Sequence, residues 1–143
     1  MKIVLQRVLN AFVEVGGETV GRIGKGYVVF LGVMGGDDEK TVERLVDKVA
    51  KLRIFADEGG KTNLAASDVG GEILVISQFT LAADLSSNRP SFSRAADAGR
   101  AKALYEYFLK LCKGKFACVQ SGQFAAHMHV YADNDGPFTL VLE

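Results

Sequence analysis

Two short, uninterrupted apolar runs constrain the fold of this chain more than any other feature of its sequence. The first occupies residues 27–33 and the second residues 73–76. Neither run alternates apolar with polar residues, as a strand with one solvated face would. Each run therefore predicts a β-strand that is buried on both faces, so the fold must cover both sides of its sheet.

Weaker strand patterns surround these two runs. Residues 3–8, 12–15 and 18–22 have strand-like composition, and the last two segments are separated by Gly16 and Gly17. Two consecutive glycines at such a place predict a hairpin turn, because a positive φ costs glycine little. Further short strands are predicted at residues 53–55, 115–120, 126–131 and 138–142.

Two segments have the residue spacing of amphipathic helices. From about residue 38 to residue 52, valine and leucine recur every three or four positions, and charged residues occupy the rest of the turn. Asp37 or Asp38 is expected to cap this helix, because a carboxylate there accepts the unpaired N–H groups of the first turn. The second helix is predicted from about residue 97 to residue 112. Its apolar stripe consists of Ala101, Leu104, Tyr105, Phe108, Leu111 and Cys112.

The order of these elements indicates the fold class. About seven or eight strands come in runs rather than in strict alternation with helices, which favours an α+β fold. We therefore predict a mainly antiparallel, curved or barrel-like β-sheet with two long amphipathic helices. The chain has 143 residues and contains no linker or low-complexity stretch, so residues 1–143 are expected to form a single domain.

Charge and hydropathy exclude several classes of function. The chain has 17 Lys and Arg against 17 Asp and Glu, and a protein without net charge is a poor general binder of duplex DNA. No apolar run reaches the ~18 residues of a membrane span, and Lys2 and Arg7 come too early for a secretory signal. Neither DNA nor a membrane is expected as a partner. Cys112 and Cys118 are expected to be reduced thiols of a cytoplasmic protein.

Polar side chains follow the second apolar run directly. Ser77, Gln78, Phe79 and Thr80 continue the strand predicted at residues 73–76. A strand end exposes backbone N–H groups, which can receive the negative charge that develops during a reaction. The segment is therefore a candidate functional site. The alternative is a simple strand cap, in which Ser and Thr satisfy local backbone groups.

Two other segments carry weaker signals. His127 and His129 would point to the same face of a strand, which allows a two-histidine metal site, but no third ligand is evident and rim imidazoles are the simpler interpretation. Residues 134–137 have the composition of a turn, and Gly136-Pro137 is the kind of link in which a cis peptide bond costs little.

Taken together, these segments closely resemble the D-aminoacyl-tRNA deacylase family. The resemblance depends most on Ser77-Gln78-Phe79-Thr80-Leu81 and on Asn134-Asp135-Gly136-Pro137-Phe138-Thr139. Further matches are Gln6-Arg7-Val8, Arg53-Ile54-Phe55, Arg89-Pro90-Ser91-Phe92, Ala103-Leu104-Tyr105 and Gly122-Gln123-Phe124-Ala125-Ala126. The matches run in order along essentially the whole chain.

The resemblance implies an activity and an assembly. Proteins of this family are homodimers that hydrolyse the ester between a D-amino acid and the 3′-terminal adenosine of tRNA, and they also accept glycine in that ester. The sequence itself shows no metal requirement, and no cofactor is expected. Gly136 and Pro137 would form a Gly-cis-Pro element that enters the active site of the partner subunit and excludes L-amino acids, and Arg7 would hold this element in place.

The resemblance also implies roles for the other site residues. Residues 77–80 would line the ester pocket, with Phe79 offering a backbone N–H group. Phe124 and Met128 would form the wall around the adenosine. His127 stands where an acidic residue is more usual in the family.

Two questions stay open at this point. Thr80 is a candidate nucleophile if His127 or His129 serves as its base; otherwise the ribose 2′-hydroxyl of tRNA and backbone N–H groups perform the chemistry while Thr80 orients. The chain is also compatible with a non-catalytic, dimeric module that binds the tRNA acceptor stem. Its phosphate contacts would come from Arg89, Arg94, Arg100, Lys102 and Lys113.

Overall fold

A mixed, six-stranded sheet is the frame of the structure, a computed structural model that describes all residues from 1 to 143. The chain forms eight strands: β1 (Lys2–Val15), β2 (Glu18–Ile23), β3 (Gly26–Gly32), β4 (Phe55–Ala56), β5 (Thr62–Leu64), β6 (Glu72–Ser77), β7 (Val119–Ser121) and β8 (His129–Leu142). The large sheet has the order β2-β1-β3-β6-β7, with β8 paired to β1, while β4 and β5 form a separate two-stranded sheet.

The sheet is mixed, so the prediction of a mainly antiparallel sheet is not confirmed. β1 pairs in antiparallel fashion with β2, β3 and β8, but the β3–β6 and β6–β7 pairs are parallel. Parallel neighbours need a crossover connection. The segment between β3 and β6 supplies one, because it contains the first helix, so β6 enters the sheet from the same end as β3.

The predicted curvature is confirmed, and the sheet is nearly closed. β2 and β7 lie at opposite ends of the strand order, yet they contact each other. Gly21 in β2 lies so near β7 that a Cβ atom there would come within 2.7 Å of the carbonyl oxygen of Ser121. A glycine at this position therefore allows the two ends of the sheet to approach.

Both long helices are found close to their predicted bounds. α1 (Glu39–Lys51) begins after Asp38, whose carboxylate accepts the backbone N–H of Thr41 at 2.9 Å. A four-residue helix that was not predicted, α2 (Ala66–Val69), precedes β6. α3 (Ala98–Cys112) begins after Asp97, which accepts the backbone N–H of Arg100 at 3.0 Å. None of the helices is long and apolar enough to cross a membrane.

Two apolar cores explain the uninterrupted runs. Val29 and Leu31 of β3 pack in the core beneath α1 and α3, whereas Val28 packs in a second core on the other face of the sheet. In β6, Ile73 and Val75 belong to the first core, and Leu74 and Ile76 belong to the second. The prediction that these strands are buried on both faces is confirmed.

The last part of the chain differs from the prediction. The strands predicted at residues 126–131 and 138–142 are one continuous strand, β8, which pairs with β1 along nearly its full length. The strand predicted at residues 115–120 is reduced to β7. Cys112 and Cys118 do not form a disulfide, as expected, and burial raises the pKa of the Cys112 thiol to about 12.

The hydroxyl group of Tyr105 links α3 to the sheet through a hydrogen bond, and its contribution to the stability of the protein can be measured. The buried phenol donates to the carbonyl oxygen of Val75 at 3.0 Å, and burial raises its pKa, so it stays a donor. Tyr105→Phe should lower the free energy of unfolding by about 1 kcal/mol. The loss is no greater because the N–H of Gly122 also donates to this carbonyl, at 3.2 Å.

Urea unfolding monitored by circular dichroism measures this difference. Tyr107→Phe is the matched control, because the Tyr107 hydroxyl bonds to Glu43 at the surface of the protein. We expect the control to cost less than Tyr105→Phe. Equal losses in the two variants would show that the Tyr105 hydroxyl contributes nothing specific to helix docking.

Candidate functional site

A cavity of about 620 Å³ opens where β6 ends. Ser77, Gln78 and Phe79 form part of its lining, and residues 124–128, Phe92 and the start of α3 contribute much of the rest. Fourteen of the 17 lining residues are hydrophobic. Such a cavity suits a ligand with aromatic or aliphatic parts that is oriented by a few polar groups.

The backbone turns sharply at the edge of this cavity. The N–H of Gln78 still donates to the carbonyl oxygen of Leu31 at 2.8 Å, as in a sheet. Residues Phe79–Ala82 then form a 3₁₀ turn, in which the N–H of Leu81 donates to the Gln78 carbonyl oxygen at 3.2 Å. The first N–H groups of a helical turn have no acceptor within that turn. The N–H of Phe79 is one of these, so it is a candidate donor to a negatively charged oxygen.

The structure brings together five of the nine predicted site residues. Those that line the cavity are Ser77, Gln78, Phe79, Phe124 and Met128. Those that do not line it are Thr80, Arg7, Gly136 and Pro137. The cavity of one chain therefore combines the strand end with the aromatic and methionine wall, and the Gly-Pro segment lies elsewhere.

Thr80 is exposed beside the cavity, and its hydroxyl is engaged by a neighbour. The side-chain amide of Gln78 donates to Thr80 Oγ1 at 2.6 Å. Neither His127 nor His129 makes a hydrogen bond to Thr80. An activated nucleophile requires an adjacent base, and this geometry supplies none from the histidines.

The Gly136–Pro137 segment is a bulge inside β8 rather than a turn between two strands. Val8 pairs with Asn134 and Gln6 with Thr139, so β8 uses five residue steps where β1 uses two. The Gly136–Pro137 peptide bond is cis, and both residues are exposed. Turn-forming residues are found here because the extra length must leave the β1 ladder and return to it.

Arg7 holds both sides of this bulge. Its Nε donates to the carbonyl oxygen of Asp135 at 3.1 Å and lies 3.3 Å from the Asp135 carboxylate. Its Nη1 donates to the carbonyl oxygen of Ile54 at 2.5 Å, and its guanidinium lies 4.7 Å from the centre of the Phe138 ring. These contacts fix the residues on either side of Gly136–Pro137.

His127 is the one ionisable side chain among the residues that line the cavity. Its ring lies 5.3 Å from the ring of His129 in a T-shaped arrangement. No group of three or more His, Cys, Asp or Glu side chains is arranged to bind a metal. The two-histidine metal site considered from the sequence therefore has no third ligand here.

Sequence reasoning missed several residues that shape the cavity. Phe92 lies in one of the matched segments but received no role, and Phe30 was assigned only to a buried strand. Ala95, Ala96 and Ala98 also line the cavity. The concentration of alanine before α3 was a usable signal, because small side chains leave room for a ligand.

Comparisons with known proteins agree along the whole chain. A family model described as D-Tyr-tRNA(Tyr) deacylase matches residues 4–143. A D-aminoacyl-tRNA deacylase from Thermotoga petrophila is 51% identical over 100% of this chain and 97% of that protein. A D-aminoacyl-tRNA deacylase from Lactobacillus helveticus is 49% identical over 100% of this chain and 99% of that protein.

Solved structures have the same fold. A structure named c-Myc DNA Unwinding Element Binding Protein is 42% identical, with a TM-score of 0.94, and the match covers 100% of this chain and 98% of that one. A structure described as a probable eukaryotic D-amino acid tRNA deacylase has a TM-score of 0.88 at 15% identity, with coverage of 99% and 97%. The second likeness concerns the fold alone.

Proposed function

Since this chain belongs to the D-Tyr-tRNA(Tyr) deacylase family and is a hydrolase, we propose that it hydrolyses the ester between a D-amino acid and the 3′-terminal adenosine of tRNA. Glycyl-tRNA is a further substrate, because glycine is achiral and has no side chain by which an L- and a D-enantiomer could differ. The observation that carries this proposal is the mostly apolar cavity beside the turn at Phe79. It has room for an amino acid and a nucleoside.

The proposed reaction needs little from protein side chains. An aminoacyl ester is already activated, so its hydrolysis depends on a positioned water and a stabilised oxyanion. Water adds to the ester carbonyl, and the N–H of Phe79 donates to the oxyanion that forms. The C–O bond to the ribose then breaks, and the 3′-oxygen leaves with a proton. The products are the free amino acid and uncharged tRNA.

We assign proton handling to the ribose 2′-hydroxyl of the substrate rather than to Thr80. Thr80→Ala should then retain deacylation within about tenfold of the wild type, because the variant loses only an orienting contact with Gln78. Single-turnover hydrolysis of D-tyrosyl-tRNA measures the effect. Thr80→Ser is the control, since it keeps the hydroxyl group. Loss of deacylation in Thr80→Ala, with activity kept in Thr80→Ser, would show that the Thr80 hydroxyl is essential and would contradict this assignment.

We further propose that two copies of the chain assemble and that Gly136–Pro137 of one copy enters the cavity of the other. The support is that this segment is exposed, is held firmly by Arg7 and does not line the cavity of its own chain. The segment would then occupy the space that the side chain of an L-amino acid needs. Exclusion of this kind separates enantiomers that carry the same attractive groups.

A second candidate function is a non-catalytic nucleic-acid-binding module, and the name of the structure with 42% identity favours it. Incubation with D-tyrosyl-tRNA that carries labelled tyrosine separates the two candidates. A deacylase releases many equivalents of tyrosine per protein, whereas a binding module retards the tRNA in a gel without releasing tyrosine. We expect release with turnover, and we expect the protein to act in the cytoplasm, where charged tRNA is used.

A further inference from the structure

We propose that Phe79 and Phe92, together with Arg94, bind the unpaired nucleotides that precede the terminal adenosine of the tRNA substrate. This inference rests on the proposed function and extends it beyond the ester and the adenosine. We call Phe79 and Phe92 the aromatic pair.

The aromatic pair is exposed at the edge of the cavity. Phe79 is 56% exposed and Phe92 is 37% exposed. Their ring centres lie 5.0 Å apart with an interplanar angle of 70°, and both residues line the cavity. Single exposed apolar residues are common on protein surfaces. Two aromatic rings in contact at a cavity edge, in contrast, form a surface on which a flat group can stack.

The segment that carries Phe92 is locally basic in a chain without net charge. Arg89 and Arg94 lie between residues 85 and 95, and this stretch contains no carboxylate. Neither arginine side chain takes part in an ion pair or a hydrogen bond within the chain. The charge of Arg94 helps to lower the pKa of Asp84, but the backbone N–H of Ser86, which donates to that carboxylate at 2.9 Å, is the main cause. Both guanidinium groups are therefore available to an anion.

Backbone contacts hold this segment against the body of the protein. Asp84 and Ser91 exchange two backbone hydrogen bonds, of 2.7 and 3.0 Å. The N–H of Gly35 donates to the carbonyl oxygen of Arg94 at 3.0 Å. Because anchors lie on both sides of Phe92, the ring has a defined place beside the cavity before any ligand binds, and little ordering is required on binding.

A single-stranded nucleic acid fits these features better than other ligands. Every base has a π face that can stack on an aromatic ring, and arginine binds phosphate through paired N–H groups. If the aminoacyl ester and the terminal adenosine fill the cavity, the preceding nucleotides must leave it at an edge. The aromatic pair lies at such an edge. Arg94 is two residues from Phe92 and next to the lining residue Ala95, so it brings the charge that a phosphate backbone requires to the same segment.

The test compares a long substrate with a short one. D-tyrosyl-tRNA contains the preceding nucleotides, and D-tyrosyl-adenosine lacks them. The measured quantity is kcat/KM for the long substrate divided by kcat/KM for the short substrate. We expect this ratio to fall about tenfold in Phe92→Leu and in Arg94→Gln, because KM for the long substrate rises. Arg94→Gln should also weaken the dependence of KM on salt concentration. Lys61→Gln is the control, because it removes an exposed positive charge away from the cavity and should leave the ratio unchanged.

Other results overturn the inference. An unchanged ratio in both variants would show that the preceding nucleotides do not touch this surface. A shift of either variant to a smaller oligomer by light scattering would show that the aromatic pair contacts a second copy of the chain instead. If the wild type hydrolyses neither substrate, the proposed function itself is refuted. If the wild type is active and the variants leave the ratio unchanged, only this further inference is refuted.

Discussion

Gly136→Ala should reduce kcat/KM for D-aminoacyl-tRNA by about 100-fold or more while leaving the protein folded. Gly136 has a φ of +135°, a backbone conformation that residues with a Cβ atom rarely adopt. A Cβ atom there would lie 3.0 Å from the backbone nitrogen of Phe138 and 3.4 Å from Arg7 Nη2. The substitution therefore displaces the segment that, in our proposal, enters the partner's cavity. The position is exposed, so the apolar cores are untouched.

Gly36→Ala is the matched control for this prediction. Gly36 is also exposed, and a Cβ atom there meets no other atom within 4 Å. We expect its activity to equal that of the wild type. Near-normal deacylation by Gly136→Ala, with thermal stability preserved, would remove Gly136 from the mechanism.

Mixing two inactive variants tests whether Gly136–Pro137 acts on the other subunit. Ala98→Phe should fill the cavity from the start of α3, where Ala98 is exposed and part of the lining. Coexpression of Gly136→Ala with Ala98→Phe should restore about a quarter of the wild-type activity, because half of the randomly formed dimers are mixed and each has one unaltered site. A lack of recovery, with mixed dimers present, would place both residues in the site of one chain.

A tRNA that ends in 2′-deoxyadenosine should be deacylated about 100-fold more slowly than the matching ribose substrate. The expectation follows from the residues in and beside the cavity that is proposed to hold the ester. The cavity lining contains no carboxylate, Thr80 Oγ1 is engaged by Gln78, and His127 makes no hydrogen bond to Thr80. The substrate's own 2′-hydroxyl is then the group best placed to move the proton.

Binding and chemistry must be separated in this experiment. Single-turnover rates at saturating protein measure the chemical step, and inhibition by uncharged 2′-deoxy tRNA measures whether binding has changed. We expect unchanged binding and a slow chemical step. Equal single-turnover rates for the two substrates would show that a group of the protein, and not the ribose 2′-hydroxyl, moves the proton. His127→Ala would then be the next variant to measure.

Features that depend on neighbouring residues could be predicted from the sequence. Asp38, one of the two caps expected for the first helix, caps α1, because capping involves only the following turn. Asp97, where the second helix was predicted to begin, caps α3 in the same way. The runs in β3 and β6 predicted burial on both faces, and both strands separate the two cores. In these cases the feature is determined by residues that are close together in the sequence, within one helical turn or one strand.

Features that depend on distant pairing could not be predicted in this way. The parallel β3–β6 pair is set by the crossover between the strands, not by the strands themselves. Residues 134–137 have the composition of a turn. However, β8 pairs with β1 both before and after this segment, so the segment is a bulge in one long strand. Local propensity predicts where the chain can bend, but pairing decides whether a bend ends the strand.

The residues of the candidate site also fall into two groups: those that the local sequence identified and those that only the fold brings together. Ser77, Gln78 and Phe79 follow a buried strand, which local reasoning identified as a candidate site. Their meeting with Phe124 and Met128 was implied by the family resemblance, and it requires the fold to join segments that lie about 45 residues apart. The catalytic and binding roles of these residues stay predictions.

Hydrolysis of matched D- and L-tyrosyl-tRNA by the same preparation tests the central claim most directly. Both substrates present the same groups, so only their handedness can distinguish them. We predict rapid release of D-tyrosine and release of L-tyrosine no faster than in buffer. Similar rates for both substrates, or release of neither, would contradict the assignment of this chain as an enzyme that removes D-amino acids from tRNA.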